Sequence, residues 1–352
     1  DVPEPTLTDI RRIVTSLKNN KAAGPDNIPA ELVKHGGEAL IRALHGLIGR
    51  IWKDEEIPKE WSLAIVVPVH KKGDKADCNN YRGISLLDIA YKVLSISIKE
   101  RLQMLGEELL GEYQAGFRAN RSTTDQIFKL RIELEKSYEQ NVTLHHLFID
   151  YLKAFDSISR SRMIKAITEL GIPRKLVRLA EMTLRGSRCA VKVDGKIAEP
   201  FEVSCGVRQG DPISSVIFNL TLEYVVRKLE VNISGNIYHR SNQLLAFADD
   251  IVLTARSLRA LEEAFSQLRS AAEEVGLQVN RDKTLYMKTS RDDANYPTSV
   301  KLDGCEFATT REFKYLGTIL TSDNNSGKEI RARLVTGNRT YFALQDLLKS
   351  RM

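Results

Sequence analysis

The chain is predicted to be an α+β protein with an antiparallel sheet backed by helices. A strand-like run, Leu147-Phe148-Ile149, is followed by a helical pattern with Ile213, Val216, Ile217, Leu220 and Tyr224 on one face. A tight apolar hairpin then surrounds Ala246-Phe247-Ala248-Asp249-Asp250, with Leu244-Leu245 before it and Ile251-Val252-Leu253 after it. A further amphipathic helix carries Leu258, Leu261, Phe265, Leu268 and Val275 and ends at Gly276. Strand, helix, hairpin and helix in that order let helices cover one sheet face.

The other elements follow in chain order. Thr6 and Asp9 form a capping box before Ile10, Ile13, Val14 and Leu17, spaced as one helix face. Gly24-Pro25 breaks the chain, and a longer helix follows with Leu40, Ile41, Leu44, Leu47, Ile48, Ile51 and Trp52 on one side. Residues 63–69 read as a buried strand, leading into the polar loop His70-Lys71-Lys72-Gly73-Asp74-Lys75. Helical periodicity returns over 88–105, and Ser122 is placed to cap a helix reaching about 138. Residues 161–170 are helical and stop at Gly171-Ile172-Pro173, while 189–203 alternate as a hairpin turning at Asp194-Gly195. Asp211 is placed as an N-cap with Pro212 in the first turn of the helix that follows.

Composition sets broad limits. A chain of 352 residues suggests roughly two domains. Its net charge of +6 leans toward a polyanionic partner, although many basic proteins bind no nucleic acid. Cys78, Cys189, Cys205 and Cys305 are scattered without a C-x-x-C pair, so neither zinc nor a disulfide framework is indicated. The first residues lack a signal peptide and no apolar run is long enough to span a bilayer, so no membrane is expected. Opening on Asp1 instead of methionine, the sequence reads as a piece of a larger protein.

Two adjacent carboxylates at a hairpin tip repel each other and raise each other's pKa unless a cation sits there. Asp150, at the end of the 147–149 strand, is placed to join Asp249 from a neighbouring strand. Three converging carboxylates suit hard cations, and two magnesium ions can clamp the attacking and leaving oxygens of phosphoryl transfer. A lone Asp-Asp pair would more often be a solvated turn. The segments around this one reverse that balance.

Phe148-Ile149-Asp150-Tyr151-Leu152-Lys153-Ala154-Phe155-Asp156, Gly206-Val207-Arg208-Gln209-Gly210-Asp211-Pro212 and Phe247-Ala248-Asp249-Asp250 resemble successive motifs of a reverse transcriptase. Further segments resemble the non-LTR (LINE-type) retrotransposon enzymes: Lys21-Ala22-Ala23-Gly24-Pro25-Asp26-Asn27-Ile28-Pro29-Ala30-Glu31, Asn80-Tyr81-Arg82-Gly83-Ile84-Ser85-Leu86-Leu87, Gln114-Ala115-Gly116-Phe117-Arg118 and Tyr315-Leu316-Gly317. The resemblance runs from about residue 7 to about 320. It implies a right-hand polymerase fold of fingers and palm, with the thumb absent or partial. Expected divisions are an N-terminal helical extension over 1–60, fingers with part of the palm over 61–145, palm over 146–320 and the start of a thumb over 321–352. That last segment offers Ile330, Leu334, Phe342, Leu344 and Leu347 as packing for one or two helices.

The resemblance also assigns roles. Asp150 and Asp249 hold two Mg2+ ions, for which Mn2+ can substitute, and Asp250 is an outer or partial ligand. Lys71, Lys72 and Arg82 are candidates for the triphosphate of the incoming dNTP, since guanidinium forks suit phosphate and ammonium adds a point charge. Most lysine-rich loops are merely solvated, and Gly83 stands where many relatives carry proline. Phe155 matches the aromatic that packs under the sugar and excludes a 2′-hydroxyl. Arg208, Gln209 and Gly210 contact the incoming nucleotide or its template partner; Asp156 either joins them or caps the next turn. Lys283 is a candidate proton donor to pyrophosphate. Arg118 and Arg121 line the template path, and Tyr315, Leu316 and Gly317 form a primer grip. The implied partners are template RNA, a DNA or RNA primer and dNTPs, in a ribonucleoprotein located in the nucleus. Two rivals are an RNA-dependent RNA polymerase, which Phe155 disfavours, and a non-catalytic nucleic-acid-binding scaffold, which the intact acids disfavour.

Overall fold

The computed structural model describes residues 2–231, 243–291 and 296–349. The N-terminal segment forms three helices, α1 (Leu7–Ser16), α2 (Ala30–His35) and α3 (Gly37–Asp54). Strands β1 (Leu63–His70) and β2 (Tyr81–Leu86) follow, then α4 (Ile89–Leu109), α5 (Thr123–Glu139) and β3 (Leu144–Ile149). Three helices, α6 (Ala154–Ser157), α7 (Arg160–Glu169) and α8 (Arg174–Leu184), lead to β4 (Arg188–Val193), β5 (Lys196–Ile197) and β6 (Phe201–Glu202). Helix α9 (Ser214–Val226) precedes β7 (Leu244–Phe247), β8 (Asp250–Ala255), α10 (Leu258–Glu274) and β9 (Leu285–Thr289). Two hairpins, β10 (Ser299–Leu302) with β11 (Cys305–Thr309) and β12 (Glu312–Tyr315) with β13 (Thr318–Thr321), come before α11 (Gly327–Ala343) and α12 (Gln345–Lys349). The chain divides into two compact units, each discontinuous in sequence: Asp1–Leu110, Leu152–Lys228 and Ser270–Gln278 form the first, and Gly111–Tyr151, Leu229–Arg269 and Val279–Met352 the second.

The first unit carries a sheet in the order β2-β1-β4-β5 with β6 also on β4, and β1 runs parallel to β4. Its N-terminal helix begins at the capping box, Thr6 accepting from the Asp9 amide and Asp9 from the Thr6 amide. The long apolar pattern from Leu40 to Trp52 forms one helix, α3, as predicted, and the short α2 before it is set off at Gly37, which takes φ +75°. Helix α9 packs on α4 and α7 and is buried around nearly its whole circumference. Phe218, Leu222 and Val225 are buried alongside the predicted face, whereas Tyr224 is only partly buried and lies under the Lys228 ammonium at 4.6 Å. Asp211 does not cap this helix, which starts at Ser214. Its buried carboxylate accepts from the hydroxyls of Tyr91 and Ser95 on α4 and also from the amide of Ile213, the residue just before the helix, at 3.3 Å.

The second unit carries the sheet β10-β11-β9-β3-β8-β7, antiparallel except for the β11–β9 pair. Helix α5 starts at the Ser122–Asp125 capping box and covers one sheet face. Its Leu130 and Leu134 pack into a core with Phe148, Leu245, Val252, Met287, Tyr315 and Leu320. On α11 and just beyond it, Ile330, Leu334, Phe342 and Leu344 are exposed instead of packed, and the side chain of Leu347 lies outside the described residues. Among the described residues no helix is long and apolar enough to cross a membrane.

His146 on β3 is fully buried, its Nδ1 paired with the Thr254 hydroxyl at 3.0 Å while its Nε2 has no partner. Burial, then the neighbouring His145, pushes its pKa from the ordinary 6.5 down to about 3. Below pH 6.5 the unfolded chain therefore takes a proton that the folded chain refuses, and stability falls until the pH reaches about 3. Within that window the slope from this group approaches about 1.4 kcal/mol per pH unit. His146→Gln is expected to flatten the acid limb, as read by urea unfolding at pH 7, 6 and 5. Equal slopes for parent and variant would refute this.

Candidate active site

The β7–β8 hairpin turns through two residues, Ala248 and Asp249, with Phe247 paired to Asp250. Ala248 takes φ +57°, the left-handed conformation that such a tight turn demands. On the other side of β8 the ladder to β3 ends with Ile149 opposite Ile251. Asp150 and Asp250 are the next residues of these two strands, so the register brings the predicted acids to one sheet end. Asp250 is exposed as a residue, yet its carboxyl sits in a crowded, poorly hydrated setting. That desolvation, then Asp249 and Asp150, pushes its pKa up to about 6.

Asp150 is held by residues the sequence reading did not single out. Its peptide carbonyl accepts from the Asn280 amide at 2.8 Å and its Oδ2 from Asn280 Nδ2 at 3.1 Å. Its own amide donates to the buried Thr284 hydroxyl at 3.3 Å. Lys283 Nζ lies 3.7 Å from Asp150 Oδ2, on a side chain that is largely exposed. Asn280 and Thr284 lie within four residues of Lys283 in the sequence, and the lysine alone drew the assignment.

Among the described residues, no three His, Cys, Asp or Glu side chains are gathered closely enough to form a ready metal cluster. The donor chemistry still fits a hard divalent cation. All three acids are oxygen donors, and Asp250 carries a charge that its surroundings disfavour. The buried hydroxyls of Tyr151 and Tyr315 have no hydrogen-bond partner. Burial raises both pKa values, with Asp249 adding to the effect on Tyr151 and Asp250 to that on Tyr315. Orphaned hydroxyls beside clustered carboxylates are where an ion and its water would be satisfied.

Tyr315 belongs to the β12–β13 hairpin, whose two turn residues, Leu316 at φ +46° and Gly317 at φ +87°, match the predicted tight turn. The Tyr315 ring is buried beside Phe148 at 6.0 Å, and Leu316 packs against the same core. Arg118 is buried and donates to the carbonyls of Gly111 and Gln114, bracing its own loop. Arg121 pairs with Glu112 at the surface.

In the first unit, the Gly206–Gly210 loop clamps the turn that carries Phe155 and Asp156. Gly206 and Val207 donate to the carbonyls of Ile158 and Phe155. Gly206 takes φ +71°, and a Cβ there would stand 2.5 Å from the Asp156 carbonyl oxygen, so the close approach requires glycine. Gln209 Nε2 donates to Asp156 Oδ1 at 2.9 Å, so Asp156 orients the Gln209 amide. The Gln209 carbonyl accepts from Ser85 of β2, and a Cβ on Gly210 would stand 2.8 Å from the Ser85 carbonyl oxygen. Phe155 stacks on Phe218 with centroids 4.3 Å apart, which fixes one ring face. Arg208 is buried and donates to the Ser62 carbonyl and the Ser187 hydroxyl, with its guanidinium over the Tyr91 ring. That places it in the framework under the loop. Lys71 and Lys72 in the β1–β2 loop and Arg82 on β2 are exposed. Gly83 faces Pro68 in that hairpin, and a Cβ there would stand 2.8 Å from the Val66 side chain.

Comparison with known proteins bears on the family and the fold. A 26% identical relative, described as a probable RNA-directed DNA polymerase from transposon BS of Drosophila melanogaster, aligns over 97% of this chain and 38% of its own length. The RNA-directed DNA polymerase from mobile element jockey of Drosophila funebris is 23% identical over 90% of this chain and 35% of its own. The chain thus spans well under half the length of these curated relatives. A solved telomerase from Candida tropicalis, in complex with a fragment of telomeric RNA, superposes with a TM-score of 0.53 at 13% identity, covering 81% of this chain and 49% of that one. This likeness shows the fold, an α+β polymerase fold as the sequence predicted. Residues 69–320 match the family described as reverse transcriptase (RNA-dependent DNA polymerase), and with most of its length so matched the chain belongs to that family.

Proposed function

We propose that this chain is the polymerase core of a non-LTR retrotransposon enzyme, extending a primer 3′-hydroxyl with dNTPs on an RNA template. The observation that carries the reading is the β3–β8 register that brings Asp150 to the sheet end bearing Asp249 and Asp250. Asp150 and Asp249 would hold two Mg2+ ions, with Asp250 as outer ligand and Mn2+ as a substitute. Bound there, such ions would neutralise charge on the attacking 3′-oxygen and the leaving pyrophosphate. Asn280 fixes the carboxylate of Asp150, and Lys283 Nζ donates a proton to pyrophosphate. Gln209, oriented by Asp156, meets the nucleotide or its template partner. Arg82 and Lys72 meet the triphosphate, Arg121 the template backbone, and the Tyr315–Gly317 turn the primer.

Primer extension on an RNA template, run with dNTPs and rNTPs in separate tubes, tests this. Products with dNTPs alone are expected. Extension with rNTPs alone would indicate an RNA polymerase, and template binding without extension a scaffold.

Phe155→Val is expected to raise the ratio of ribonucleotide to deoxynucleotide incorporation, because the smaller side chain vacates the space of the 2′-hydroxyl. Losing the stack on Phe218 should also lower stability by about 1 kcal/mol. An unchanged incorporation ratio would leave Phe155 a packing residue only.

A further inference from the structure

Strand β7 is the last of its sheet, paired on one side with β8. Residues 113–115 lie against its other side and form a single parallel bridge, Gln114 to Ala246. Ala246 donates to the Tyr113 carbonyl at 2.9 Å, and Ala115 donates to the Ala246 carbonyl at 2.9 Å. This cover satisfies an edge that would otherwise present open backbone groups. It also delivers Gln114, 1% exposed, to the hairpin turn.

There the Gln114 carboxamide behaves as a peptide group. Its Oε1 accepts from the amides of Ala248 and Gly116, both at 2.8 Å, and its Nε2 faces the Ala248 carbonyl at 3.3 Å. Ala248 is the residue held at φ +57°, a conformation that disfavours any side chain. The turn has two residues, so the backbone of Ala248 decides where Asp249 points. The Arg118 guanidinium braces the same residue, donating to the Gln114 carbonyl at 3.0 Å.

We infer that Gln114 is a positioning residue for the catalytic turn: its carboxamide holds the left-handed Ala248 by both peptide groups and so orients Asp249. The inference rests on the reading of Asp249 as an ion ligand. A merely structural edge cover would need only the backbone bonds of Tyr113 and Ala115. The side chain adds contacts to the one strained residue beside the acid.

Two measurements test it. In the parent chain, the amides of Ala248 and Gly116 share one buried acceptor and should exchange hydrogen at least about a hundredfold more slowly than in an unstructured peptide. Exchange at the peptide rate overturns the inference whether or not the enzyme is active. Gln114→Met keeps length and loses both polar atoms. It should lower kcat at least about tenfold while the nucleotide KM and the primer-template Kd stay within about twofold. Adding Ala248→Gly should then recover most of kcat, because glycine takes φ +57° without strain. A kcat within twofold of the parent for Gln114→Met, or no recovery in the double variant, overturns the inference. Should Gln114→Met fail to fold, the exchange measurement decides alone. A parent with protected amides that extends no primer sinks the polymerase reading instead.

Discussion

Asp249→Asn is expected to abolish extension while leaving primer-template affinity within about twofold. Asparagine preserves the shape of the acid and is at home in tight turns, so the β7–β8 hairpin should keep its register. What it removes is one negative charge from an acid cluster in which desolvation, and after it the neighbouring Asp249 and Asp150, already push Asp250 up to about 6. Losing an ion-ligand carboxylate should lower kcat by roughly a thousandfold or more, about 4 kcal/mol of transition-state stabilisation. Single-turnover extension, with duplex binding measured in parallel, separates the two effects. A variant extending within tenfold of the parent would show that Asp249 is not part of the chemistry.

The second large effect is structural. Gly116→Ala would place a Cβ 2.2 Å from the Ala248 amide nitrogen and 2.9 Å from its Cα. Both are backbone atoms and cannot rotate aside. The hairpin or the 113–118 loop must shift, destabilising the chain by about 3 kcal/mol or more. Gly46 in α3 is the contrast, since a Cβ there meets nothing within 4 Å. Gly46→Ala is expected to stabilise by roughly 0.5–1 kcal/mol through helix propensity. Chemical denaturation of both variants decides it: a Gly116→Ala chain as stable as the parent would contradict the packing described.

The acidic hairpin was legible because apolar strands around a two-residue turn form a local pattern, and the motif order made the family legible too. Gln114 was not, because its partners are the backbone groups of Ala248, and an amide N–H has no letter in the sequence. Arg118 and Arg208 show the opposite difficulty. Arg118 was read as lining the template path and Arg208 as a nucleotide contact; the buried guanidinium bonds that each makes, to carbonyls and, for Arg208, to the Ser187 hydroxyl, have no local signal in the sequence. Asp211-Pro212 carried a local capping signal, and its carboxylate does take the Ile213 amide, but the hydroxyls of Tyr91 and Ser95, more than a hundred residues earlier in the chain, could not be read from it. Helix α9 had a readable face, yet apolar residues all round it let the fold bury Phe218 and Leu222 as well. Asn280 lay three residues from Lys283, and only the course of the chain past Asp150 revealed its work.

The division into two discontinuous units bears on how the protein is made. The chain passes between them five times, and the first is not complete until Gln278 has been added. A ribosome releasing the chain from its N-terminus therefore exposes residues 1–110 long before their partners at 152–228 and 270–278 exist. Neither unit can be obtained by cutting the chain at a single point. Truncations ending before α8 and α9 should consequently leave α4 without these partners and be held by chaperones instead of folding as half-enzymes.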